Sequence, residues 1–206
     1  MSDRLSSRLL VLLPAASALW LAGSVLILGA LRPGYSHAAQ FMSELGASGT
    51  SLAWAMNFLG FIPAELFILG FVVLAARRVG RAPLALTGLG LTGLYAAALI
   101  VDALFPCDAT CWPADPSLTH DIHIAAGALA YLAGLAAVGV LGLSVWREGG
   151  RALGLAGPAL ALAGLGLLGA MDPDSPVVGL VQRALESVIF VGLIGYGAWL
   201  ERREAA

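Results

Sequence analysis

Lysine is absent from this chain: all eleven basic residues are arginine, which excludes Schiff-base chemistry through a lysine side chain. Charge of either sign is scarce, at 12 % of 206 residues. The net charge of −2, with no basic cluster outside a few short loops, argues against nucleic acid as a partner. Cysteine is limited to two residues and histidine to three, so metal chemistry has few ligands to draw on. What fills the space instead is apolar: 59 % of the residues are hydrophobic, far above a soluble domain.

The apolar residues gather into six stretches, at about 9–31, 52–75, 83–105, 120–145, 152–170 and 177–200, each near the roughly 20 residues a helix needs to cross a bilayer. Six spans consume most of the chain, so one compact bundle is expected without a second soluble domain. The first stretch follows Arg4 and Arg8 like a secretion signal. Its apolar run exceeds the ~7–15 residues of a signal core and no clear small-x-small cleavage site follows, so an uncleaved first helix is expected. A lipid-facing backbone must satisfy its own hydrogen bonds, and none of the runs alternates like a barrel strand. The predicted fold class is therefore all-α, a polytopic six-transmembrane-helix bundle.

Orientation is read from the arginines. Arg4, Arg8, Arg77, Arg78, Arg81, Arg147, Arg151, Arg202 and Arg203 fall on one side, and Arg32 is the one loop arginine on the other. The positive-inside rule then predicts cytoplasmic termini in a prokaryotic plasma membrane, with the loops at about 32–51, 106–119 and 171–176 facing the extracytoplasmic side. The 26 glycines, including Gly88, Gly90, Gly164, Gly166 and Gly169, are expected to let helix backbones approach each other. No convincing internal repeat is present that would suggest an inverted-repeat transporter.

The first two extracytoplasmic loops and the charges inside spans hold the residues that can carry chemistry. Cys107 and Cys111 lie in a compartment where thiols oxidise, and a local disulfide pinning a Pro-rich loop is the first expectation. His120 and His123 are ~60° apart on the start of span four, able to face one object, with Gly127 on the same stripe. With His37 from the first loop they form a three-imidazole set of the kind that holds catalytic zinc, for which Asp102, Asp121 and Glu44 are the candidate acids. The competing explanation is structural: imidazoles as interfacial hydrogen-bonding groups, Thr119 and Asp121 as helix-start chemistry. The His-Glu-x-x-His pattern of metalloproteases is missing, and Ser43 has no nucleophile elbow around it.

A charge inside hydrocarbon costs ~2.5–3.5 kcal/mol even on the lenient scale, which draws attention to Glu65, Asp102, Arg183 and Glu186. Arg183 and Glu186 are three apart, so a local ion pair or an anion site is expected there. Glu65 follows Pro63, where the helix lacks one N–H, and needs Arg183 or a watery cavity as company. Its depth makes it a candidate proton carrier.

The segments Tyr35-Ser36-His37, Ser43-Glu44-Leu45-Gly46, Phe105-Pro106-Cys107-Asp108 and His120-Asp121-Ile122-His123 resemble the six-span bacterial and archaeal membrane family labelled domain of unknown function nine-nine-eight. The resemblance covers nearly the whole chain and implies the six-helix topology. In ingredients alone the chain is also similar to the alkaline ceramidase and adiponectin-receptor hydrolases, which combine histidines, an aspartate and a serine around zinc. That group has seven spans and a His-x-x-x-His pair, unlike the six spans and His-x-x-His here.

Three functions are expected to compete. The first is an extracytoplasmic-leaflet site that binds a lipid headgroup or other amphiphile, in its chemical version a zinc hydrolase with His37, His120 and His123 as ligands, Asp102 as ligand or orienting group and Glu44 or Asp121 as general base. Ser43, Glu65, Arg183 and Glu186 would then bind the ligand. The second is a small proton-coupled transporter using Glu65 and Arg183, hinged at Pro63. The third is a non-catalytic structural partner of another membrane protein.

Overall fold

The computed structural model describes residues 3–205, all of them helix, turn or loop, with no strand among them. Six long helices account for the apolar stretches: α1 (Asp3–Leu31), α2 (Ala53–Ala76), α3 (Pro83–Leu104), α4 (Leu118–Arg147), α5 (Arg151–Gly169) and α6 (Val178–Ala205). All six are long and apolar enough to cross a membrane. The connections at one end are short and carry Arg77, Arg78 and Arg81, with Arg147 and Arg151 at the helix ends beside them; we call it the arginine end. The other, the loop end, carries 32–52, 105–117 and 170–177.

Helix α1 packs on α2 and α6, α2 on α3, α3 on α4, and α4 on α6, so that five helices close a ring. Helix α5 lies outside it against α4 and α6 and presents Leu155, Leu162 and Leu165 outward. Helix α4 is the most buried span because it faces α3, α5 and α6 together. Glycine explains how it manages three neighbours: a Cβ on Gly142 would meet the Cα of Gly157 on α5 at 2.8 Å, so the α4 and α5 backbones touch there. Gly88 and Gly164 are packed likewise, against Leu141 and Leu135. Gly90, Gly166 and Gly169 have open space around them, so only part of the glycine content serves helix packing.

Helix ends follow local chemistry. Ser117 caps α4, its Oγ accepting the His120 N–H at 3.2 Å, and α3 opens on Pro83, whose missing N–H is no loss in a first turn. Helix α2 contains a widened π turn over Met56–Phe61, immediately before Pro63. Proline cannot donate to the Leu59 carbonyl four residues back. Trp20 of α1 donates its indole N–H to that carbonyl at 2.8 Å, so the break in α2 is closed from the neighbouring helix. Ser17 adds a second α1–α2 bond, to Ala64 O at 2.8 Å.

Candidate functional site

The loop between α1 and α2 folds back into the top of the ring and is held by side chains. A single 3-10 turn, Ser43–Gly46, sits at its base. The Glu44 carboxylate accepts Gln40 Nε2 at 2.6 Å and Phe41 N at 3.0 Å, both within its own loop. Gln182 of α6 accepts the Met42 N–H at 2.6 Å and donates to Tyr131 Oη at 3.1 Å, stitching loop, α6 and α4 together. Asn57 donates to Gly46 O at 2.9 Å. The second loop is tied to the first by Ser48 N–H donating to Cys107 O at 2.8 Å.

Cys107 and Cys111 are joined as a disulfide, Cα–Cα 4.9 Å, and both are buried. Cys111 has φ +51°, a left-handed backbone rare for a residue with a side chain, held by its own N–H bonding to Asp108 O at 2.8 Å. Asp108 accepts both Ser117 N (2.9 Å) and Ser117 Oγ (2.8 Å). These bonds, the backbone one foremost, hold its carboxyl below the ordinary aspartate range.

The three histidines do not converge. His37 lies beside Tyr35, ring centroids 5.1 Å apart, and its Nδ1 accepts from Arg183 Nη2 at 3.1 Å. Loss of water around the ring, and then the Arg183 charge, lower its pKa; a cation beside that guanidinium is disfavoured for the same reason. His120 Nδ1 accepts the Asp108 N–H at 3.3 Å. His123 Nδ1 is 3.0 Å from Asp102 O and 3.3 Å from Asp102 Oδ1. Among the described residues, the one group of three whose ligand atoms lie within 4.8 Å of one another is Cys107, Cys111 and His123, and its two sulfurs are at disulfide distance. The expected set of His37, His120 and His123 is thus not brought together as one close ligand group among the described residues.

The expected general bases fare similarly. Glu44 is occupied as a loop brace, and Asp121 is exposed in the first turn of α4, where a negative charge suits the helix N-terminus. Nor do Arg183 and Glu186 pair. Arg183 Nη1 donates to Gly179 O (2.8 Å) and Gln40 O (3.3 Å), Nη2 to Tyr35 Oη (2.8 Å) and His37. Every one of these partners is neutral, and among the described residues no carboxylate forms an ion pair with Arg183. Its Nε–H is left over from the five guanidinium donors. Arg32 also stands on the Tyr35 ring, 5.8 Å from the centroid against 6.0 Å for Arg183, and donates to Glu44 O. Burial raises the Tyr35 pKa, opposed by its bond from Arg183.

What the fold does bring together is a set of acids. Glu65 (α2), Asp102 (α3) and Glu186 (α6) line one small central cavity of about 30 Å³, with Ser43, Tyr131 and Gln182. Tyr95 donates to Glu186 Oε2 at 2.7 Å. Glu65 is 2 % exposed and its Oε2 has no hydrogen-bond partner. Asp102 has room because Gly127 faces it: a Cβ there would meet Oδ1 at 3.0 Å.

Two larger cavities flank this chamber. One, about 220 Å³, lies under the loops against Phe41, Trp112, Asp102, His123, Tyr131 and Pro173. The other, about 440 Å³, is a groove between α1 and α6, walled by Ala18, Leu21, Val25, Phe190 and Ile194 and headed by Arg183 and Glu186. Its rim residues Leu19, Leu26 and Val191 are more than half exposed. Since α1 and α6 are both spans, the groove opens sideways, toward lipid. Tyr95, Tyr131 and Gln182 were missed by sequence reasoning; the available signal was polar side chains inside spans, with Gln182 one helical turn from Glu186.

Six membrane-crossing helices around a buried polar centre define an integral, polytopic membrane protein. The chain belongs to the family described as Protein of unknown function (DUF998), whose model matches residues 14–199. No curated protein and no solved structure matches it.

Proposed function

We propose that this protein binds an anionic amphiphile in the groove between α1 and α6, its chain against the apolar walls and its charged head at Arg183. The observation that carries the reading is a half-buried guanidinium, bonded only to neutral groups, at the head of a sideways apolar groove. A cation kept partly out of water without a counter-charge favours an anion beside it. The excess of arginine at the other end supports an extracytoplasmic loop end in a prokaryotic plasma membrane, and in that orientation the ligand comes from the outer leaflet. The reading is one of binding; the acids expected to activate water, Glu44 and Asp121, stand apart from the groove. The test is titration of a single-chain alkyl phosphate into the purified protein in neutral detergent. Arg183→Gln is expected to weaken binding about 10- to 100-fold, the worth of a charge-assisted contact of ~1.5–3 kcal/mol. Equal affinity in the variant would sink the reading.

A second reading, a proton-coupled carrier, is favoured by the unpartnered Glu65 oxygen in the central chamber. There Glu65 binds and releases the coupled proton, Arg183 holds an anionic substrate, and the π turn before Pro63 serves as the hinge. Glu65→Gln should abolish proton-dependent uptake into proteoliposomes, and unchanged uptake would remove it. A purely structural role is disfavoured, because cavities rather than packed side chains adjoin these groups.

A further inference from the structure

The groove and the acidic chamber share walls: Leu21, Met42 and Glu186 line both. Arg183 and Glu186 stand one turn apart on α6, about 5–6 Å at their Cβ atoms, yet each turns to other partners, the arginine to the loop and the glutamate to Tyr95. A ligand lying in the groove therefore meets a positive group and, immediately beyond it, three carboxyls, of which Glu65 and Glu186 are buried. At about 30 Å³ the chamber holds one water-sized group. Glu65, 2 % exposed, lines it and has an Oε2 without a hydrogen-bond partner, and a buried acceptor without a donor is unfavourable until one arrives.

A primary ammonium is the group that answers these demands. It is close to water in size, carries one positive charge against the three acids, and has three N–H donors and no acceptor. A trimethylammonium is too large for the volume and has no N–H to give. We propose that the chamber receives the primary ammonium of a zwitterionic amphiphile whose anionic group rests at Arg183 and whose chain lies in the groove between α1 and α6. The inference rests on the anion reading of Arg183 and adds the headgroup class to it.

The experiment compares single-chain probes of equal chain length on the purified full-length protein in neutral detergent, by calorimetric titration. The heads are a phosphate monoester, phosphoethanolamine and phosphocholine; chainless phosphoethanolamine is the fourth probe. The expected result is phosphoethanolamine at least 10-fold tighter than phosphocholine. Glu65→Gln should erase that preference while leaving the phosphate monoester unchanged, which also shows the variant is folded. Asp102→Asn, read the same way, stands in if Glu65→Gln does not fold. Equal affinity for the ethanolamine and choline heads, or an unaltered preference in the folded variants, overturns the ammonium site and leaves the groove reading intact; protons or water alone then occupy the chamber. Equally tight binding of the chainless probe overturns the amphiphile and points to a free small molecule. Failure of every chained probe to depend on Arg183 brings down the groove reading itself.

Discussion

Tyr95 on α3 donates its hydroxyl hydrogen to Glu186 Oε2 on α6 at 2.7 Å, and Glu186 lines the same small chamber as Glu65. Both partners are buried. The bond joins two helices that are not sequence neighbours, and it fixes which way the Glu186 carboxyl points.

Tyr95→Phe removes that donor while keeping the ring. The buried carboxyl is then short of a partner, a loss of about 1–3 kcal/mol. The expected outcome is a lowered midpoint in thermal unfolding of the detergent-solubilised protein, without loss of the helical signal at low temperature.

Trp20 closes the gap that Pro63 opens in α2. Trp20→Phe retains apolar contact, including the edge-on packing on Phe67, but leaves Leu59 O without its indole donor. About 1 kcal/mol of destabilisation is expected. Replacing Pro63 with alanine in the same background supplies a backbone N–H and should recover part of it, which a double-mutant cycle measures.

The Cys107–Cys111 bridge closes a short loop that also hydrogen-bonds to Ser48. Chain-entropy arithmetic gives about 2 kcal/mol for so short a ring. Alkylation followed by mass measurement should label neither cysteine before reduction and both after it, and reduction should lower the unfolding midpoint.

The two bonds from Ser117 hold Asp108 below its ordinary pKa. The sign follows from linkage: a carboxyl depressed in the folded state stabilises the native loop above its unfolded pKa and loses that contribution as pH falls through the folded value. The Asp108–Ser117 bonds should thus persist in the native loop through the ordinary aspartate range and weaken only below it. Fluorescence of the exposed Trp112 in the same loop reports this, and Asp108→Asn should remove the acidic transition.

How much of this was legible beforehand varies by element. The six helices were, since runs such as that of α4 have no other way to satisfy their backbones in lipid. The disulfide was legible from two cysteines four apart, and the cost of burying charge set Glu65, Asp102 and Glu186 apart from the other residues of the spans. That these three meet in one chamber was not, because they come from α2, α3 and α6. The separate surroundings of the histidines were not legible, for a related reason. His120 and His123 do share one end of α4, but a helical stripe says nothing about the loop above it, and that loop gives His120 to Asp108 while His37 is drawn to Arg183.

The order of apolar residues along the sequence determined the solvent of this protein and the number of its long helices, since hydropathy and backbone hydrogen bonding act locally along the chain. Only the tertiary structure decided which polar groups are neighbours. Close backbone contacts such as Gly197 of α6 on Leu10 of α1 help set the order of the ring, and that order, not any spacing in sequence, puts Arg183 over an apolar groove and three acids behind it.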